Sequence, residues 1–159
     1  MNPTNHKFGE QSLKILSKIG DALSGAGSPK TAFARALDVL RDEAGFLRSF
    51  VVLFHAANEK LQPFATNNFT IVEFRRLENK AEKSFIGTVF ESGKSVVIPR
   101  TSLEPSFAAA FEINRNLETS CVCVPVSLGG RNLGAFGAEF EYDSASDYNE
   151  ITDFMVVVA

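Results

Sequence analysis

Gly129-Gly130 lies between two long apolar runs, Ser120–Leu128 and Arg131–Tyr142, and no other stretch constrains the fold as strongly. Two adjacent glycines supply the left-handed backbone that a two-residue hairpin turn requires, so the runs pair as antiparallel strands. Ser49 to Phe54 is short, β-branched and aromatic, and reads as a central strand covered on both faces. Asn58-Glu59-Lys60 makes a turn, Leu61–Thr66 a second strand, and Ser95–Pro99 a third that proline stops. Phe69–Leu77 also reads as a strand, because Thr70, Ile71, Val72 and Phe74 favour extended backbone.

Helical periodicity flanks these strands. Leu13, Leu16, Ile19 and Leu23 recur at three- and four-residue steps in a helix over residues 8–24. Ser28-Pro29 then starts a second helix with a hydroxyl cap and a proline at the first helical position. Its buried face is Phe33, Ala36, Leu37, Leu40 and Ala44, and Gly45 closes it. Phe85–Glu91, ended by Gly93, and Pro105–Ile113, with Phe107 and Phe111 four apart, are short helices. From Asp147 or Asn149, residues Ile151, Phe154, Met155 and Val158 fall at helical spacing with no stop signal, so the natural protein is expected to continue. The pattern is α+β, an antiparallel sheet with helices on both faces.

A chain of 159 residues, 45% hydrophobic and with 15 phenylalanines, suits a single domain over 1–159 with one substantial core. The net charge of −3, with basic residues dispersed among acidic ones, excludes an evident nucleic-acid surface. Met1–Glu10 has no apolar signal region, and no apolar run approaches the ~20 residues of a membrane span. Two cysteines do not make a secreted disulfide scaffold, so the expected location is cytoplasmic.

Four segments in register resemble a GAF domain. They are Ile86 to Pro99 (IGTVFESGKSVVIP), Pro105-Ser106-Phe107, Ser120 to Val126 (SCVCVPV) and Gly129 to Ala135 (GGRNLGA). Order and spacing match from about residue 12 onward. Within the family, Phe111 to Arg115 (FEINR) and Cys123-Val124-Pro125-Val126 resemble the N-terminal sensors of nitrogen-fixation-type (NifA-like), sigma-54-dependent transcription activators. Lys83-Ser84 and Arg100 depart from that group's pattern. The resemblance implies a five- or six-stranded antiparallel sheet, terminal helices on one face, and short helices and loops over a pocket on the other. It also implies a homodimer through the terminal helices, coupled to an output domain, here a transcription regulator. Phe140-Glu141 stands where the cyclic-nucleotide subgroup carries Asn-Lys. The lid, 100–119, has neither the cysteine nor the histidine of the bilin-binding subgroup, and Phe85–Gly93 lacks the cysteine of the methionine-sulfoxide-reductase enzymes.

Candidate ligand-binding residues are Arg100, Phe107, Phe111, Arg115, Cys121 and Cys123. Arg100 and Arg115 flank the lid and are placed to clamp an anionic metabolite such as a dicarboxylate, since the guanidinium fork binds carboxylate bidentately; Arg75 and Arg76 are alternatives. Phe107 and Phe111 either line the pocket or plug it, and helical spacing favours the plug. On a strand, Cys121 and Cys123 face one side roughly 6.5–7 Å apart, too far for a mutual disulfide without breaking the strand. They are a redox or metal pair or, as the better reading, two small core side chains. With His6 and His55 the only histidines, no metal site and no catalytic triad assembles, and no nucleotide-binding or hydrolase motif occurs. The expected function is therefore a ligand-sensing regulatory domain and not an enzyme, its cofactors undetermined. A ligand-free dimerisation module and a cysteine-dependent redox enzyme are the alternatives, and pocket volume separates the first two.

Overall fold

The computed structural model describes residues 3–111, 117–144 and 147–159, with side chains from residue 12 onward except Ala109. Its centre is a five-stranded antiparallel sheet in the order β2-β1-β5-β4-β3. The strands are β1 (Arg48–His55), β2 (Lys60–Asn67), β3 (Val96–Ile98), β4 (Thr119–Leu128) and β5 (Arg131–Glu141). Gly129 and Gly130 turn β4 into β5 with φ of 61° and 78°, a conformation that residues with a Cβ rarely adopt.

Alternation along the strands builds two cores. Val51, Val122, Val124, Phe136 and Phe140 face the terminal helices α1 (Pro3–Ser24), α2 (Pro29–Ala44) and α6 (Tyr148–Val158). Phe50, Val52, Cys121, Cys123 and Ala135 face the opposite way, toward α3 (Ile71–Lys80), α4 (Phe85–Ser92) and α5 (Pro105–Ala110). Helix α2 begins and ends on the expected devices: the Ser28 hydroxyl accepts from the Thr31 N–H, and Gly45 closes it at φ 75°.

Three local expectations are corrected. The short helix read over Pro105–Ile113 ends at Ala110, Phe111 is extended, and residues 112–113 lie outside the described residues. The segment read as a strand at Phe69–Leu77 is helix α3, capped by Thr70, whose hydroxyl accepts from the Glu73 N–H. Its strand-favouring residues Ile71 and Val72 face solvent, and only Leu77 is buried within it. Extended-backbone preference is a packing preference, and here nothing packs on those side chains. In α1 the buried positions are Ile15 and Ile19, while Leu13 is 81% exposed and Leu23 43%. The helical period is as expected, and the face of α1 that packs on the core is centred on Ile15 and Ile19.

Candidate functional site

Beneath α3 and α5 the sheet carries a buried ion cluster. Arg48 opens β1, and the register places it directly across from Glu139 on β5. Its Nε donates to Glu139 Oε1 at 3.0 Å and its Nη2 to Oε2 at 3.2 Å, a two-pronged pair that the planar guanidinium favours. On its other side Nη1 donates to Glu73 Oε2 at 2.9 Å, from the first turn of α3. Thr119 Oγ1 donates to Glu139 Oε2 and shares a hydrogen bond with Thr101 Oγ1, so the cluster reaches the short helical turn at Thr101–Leu103. Burial alone would lower the Arg48 pKa, but the charges and hydrogen bonds of Glu139 and Glu73 outweigh it and raise the pKa above its ordinary value.

Aromatic rings close around this charge. The guanidinium carbon lies 5.1 Å from the Phe111 ring centre, 5.5 Å from Phe69 and 5.9 Å from Phe107, all within cation–π range. Phe111 is further in contact with Phe50, Phe69, Phe85 and Phe107 at centroid distances of 5.0–6.0 Å. Among the described residues, a cavity lined by Arg48, Phe50, Phe107, Phe111, Cys121 and Glu139 measures about 10 Å³. Ligand sites usually run to roughly 300–1,000 Å³.

The expected site residues are distributed differently from the anion clamp foreseen. Phe107 and Phe111 are 1% and 2% exposed and occupy the pocket. Arg100 does not turn inward: it is half-exposed, donates from Nε to Glu118 at 2.9 Å and lies over Tyr142. An outward carboxylate satisfies it in water, where an inward one would have required burying a second cation. The Ser102 hydroxyl, and then Arg100, hold the Glu118 carboxyl below its usual pKa. Arg115 lies outside the described residues. Arg75 is exposed and Arg76 half-buried.

Cys121 and Cys123 are free, fully buried and directed to the pocket face, Cys121 lining the small cavity. Burial raises both thiol pKa values, most of all by desolvating the thiolate, and this is the reverse of a nucleophilic cysteine. Among the described residues no group of three acidic, histidine or cysteine side chains is arranged to hold a metal.

Arg48, Glu139 and Glu73 escaped the sequence reading. The available signal was a charged residue within an apolar run of each of two strands, Arg48 beside SFVVLF and Glu139 inside GAFGAEF, with opposite signs.

A five-stranded antiparallel sheet, with terminal helices on one face and a pocket roofed by short helices on the other, defines an α+β domain of the sheet-and-lid class. The sequence model of one such family matches residues 28–157, and the chain belongs to the GAF domain family. Domains of this family are signalling and sensor modules of larger proteins.

Solved structures share the fold at low sequence identity. The GAF domain of nlh2 from A. aeolicus, described in an inactive state, superposes with a TM-score of 0.78 at 19% identity, covering 95% of this chain and 92% of that one. The GAF domain of a phosphoenolpyruvate-protein phosphotransferase from Coxiella burnetii gives 0.74 at 17%, covering 94% and 88%. Free methionine-R-sulfoxide reductase from Neisseria meningitidis, in complex with its substrate, gives 0.68 at 16%, covering 92% and 85%. No curated protein matches the chain in sequence.

Proposed function

We propose that residues 1–159 act as one non-catalytic signalling domain that is closed on its own pocket and works by pairing with a second copy through its terminal helices. The packing of the described residues carries this reading: Phe107 and Phe111 are buried where a ligand would lie, and the cavity beside them measures about 10 Å³. Pairing is supported by apolar side chains that α1 and α6 leave exposed, Leu13 and Leu23 on one and Val156 and Val157 on the other. Catalysis is disfavoured by the protonated, buried thiols. Among the described residues no helix is long and apolar enough to cross a membrane, and a cytoplasmic setting is part of the proposal. The likeness of Cys123-Val124-Pro125-Val126 to the nitrogen-fixation-type sensors supports a transcription regulator as the attached output, with no nucleic-acid contact by this domain.

Light scattering tests the central claim. A mass of two chains supports it, and a monomer at high micromolar concentration rejects it. A second reading, a metabolite sensor, is favoured by one observation: a buried cation flanked by two carboxylates is a costly way to fill a pocket, since apolar residues of similar volume often serve stability as well or better. A thermal-shift screen against metabolites separates the two readings, because a ligand that binds only the folded form raises its stability.

A further inference from the structure

Two neighbouring residues of β4 hold one stretch of chain from opposite faces of the sheet. Strand β3 stops at Ile98, paired with Cys121, and the next residue, Pro99, has no N–H with which to extend the ladder. Side chains at the start of β4 take over. On the pocket face Thr119 Oγ1 donates to Glu139 and lies 2.7 Å from Thr101 Oγ1. On the helix face Ser120 Oγ donates to the Pro99 carbonyl at 2.6 Å and meets the Tyr148 hydroxyl at 3.1 Å. Thr101, Thr119 and Ser120 are 1%, 3% and 0% exposed. Tyr148 opens α6, and its ring centre lies 6.4 Å from that of Phe140 on β5. The exit of β3 and the entry to α6 thus meet at a single buried hydroxyl.

A hydroxyl carries one hydrogen, so its neighbours fix its direction. The Pro99 carbonyl can only accept, which commits the Ser120 hydrogen to it. Tyr148 is then the donor to Ser120, and the order runs from Tyr148 to Ser120 to Pro99. Withdrawal of the Pro99 carbonyl leaves the Ser120 hydrogen in a dry place, where an unmade hydrogen bond is costly. The Tyr148 oxygen beside it is the acceptor at hand. Donation to Tyr148 obliges that hydroxyl to turn its own hydrogen away, and the half-buried Tyr148 has solvent to turn it to. The pair therefore has two exclusive arrangements, one for each position of Pro99.

We propose that Ser120 and Tyr148 form a two-state hydrogen-bond switch that couples residues 99–103 to the first turn of α6. At rest the donors point from α6 toward Pro99. Displacement of 99–103 reverses them and loosens Tyr148 from the sheet. The coupling is reciprocal, so whatever seats α6 also steadies 99–103. This rests on the reading that the terminal helices carry the output, and it names the route by which the opposite face of the sheet reaches them. Ser120 and Tyr148 act as positioning residues, and no ligand is required.

Hydrogen exchange read by mass spectrometry over residues 99–104 and 148–155 tests the switch. Thr101→Val removes a bond that holds the first stretch and keeps the side-chain shape. In the otherwise wild-type protein it is expected to speed exchange at 99–104 and, by about threefold, at 148–155. In the Tyr148→Phe background Thr101→Val should still speed exchange at 99–104 and leave 148–155 unchanged. Ser120→Ala breaks the chain at a second point and should uncouple the two stretches in the same way. Exchange at 148–155 that ignores Thr101→Val in the otherwise wild-type protein overturns the proposal. So does an equal response with and without the Tyr148 hydroxyl, the result that independent structural contributions would give. The dimer mass is read separately: a monomer with coupled exchange removes the pairing and keeps the switch, and a dimer without coupling does the reverse.

Discussion

A cation inside a hydrocarbon interior has to be neutralised where it stands, and Arg48 is neutralised from two directions. Arg48→Met strands Glu139 in the core and is expected to cost about 3–5 kcal/mol in urea unfolding. The triple variant Arg48→Met/Glu139→Met/Glu73→Gln should recover most of that loss, because neither carboxylate then remains without its cation. The cysteines give a pH prediction. Their thiol pKa values are raised in the folded protein, so the stability they confer is complete below the ordinary thiol pKa of about 8.5 and is lost as pH climbs above it. Each thiol then contributes a fall of about 1.4 kcal/mol per pH unit. Urea unfolding between pH 8.5 and 10.5 should show a steeper decline for the wild type than for Cys121→Ala/Cys123→Ala. At this scale the sequence was half legible. Phe107 and Phe111 are buried as their apolar character suggested, but not by sharing a helical face, because α5 ends at Ala110 and Phe111 is extended. Arg48 did not show, because its partner lies 91 residues away and local periodicity carries no information across such a gap.

Among the elements, the capped helices and the Gly129-Gly130 hairpin were readable because each is specified by its own residues: a hydroxyl, a proline, a left-handed glycine. Helix α3 was not, since its type is decided by the Thr70 cap and by the absence of anything to cover Ile71 and Val72. Gly87 in α4 shows how contact overrides propensity. A Cβ there would lie 2.0 Å from the Glu82 carbonyl oxygen, so α4 sits against the preceding turn only because the side chain is missing. Alanine would ordinarily gain a helix about 1 kcal/mol over glycine. Overpacking against rigid backbone costs about 1–3 kcal/mol and is expected to win, so Gly87→Ala should lower the urea midpoint.

For the whole molecule, the α+β class, the antiparallel sheet and the family followed from element order and motif spacing. The phase of α1 did not, because an amphipathic stripe fixes the period of a helix and leaves its rotation to the neighbours, here α2 and α6. That phase bears on assembly. If α1 and α6 form the pairing surface, Leu13→Asp with Val157→Asp should halve the mass seen by light scattering. The melting temperature of the isolated domain should hardly move, since exposed substitutions usually change stability by less than about 0.5 kcal/mol.

The strand order β2-β1-β5-β4-β3 has a consequence for synthesis. The last strand made is inserted between β1 and β4, and β1 must wait for it with one edge bare. At translation rates of about 5–20 residues per second, a separation of 91 residues corresponds to a delay on the order of ten seconds. Refolding of the finished chain should fall in the millisecond-to-second range typical of non-local sheets, measurable by stopped flow. On the ribosome the wait is longer, and through all of it the nascent chain displays an apolar strand edge that only its own final strand can cover.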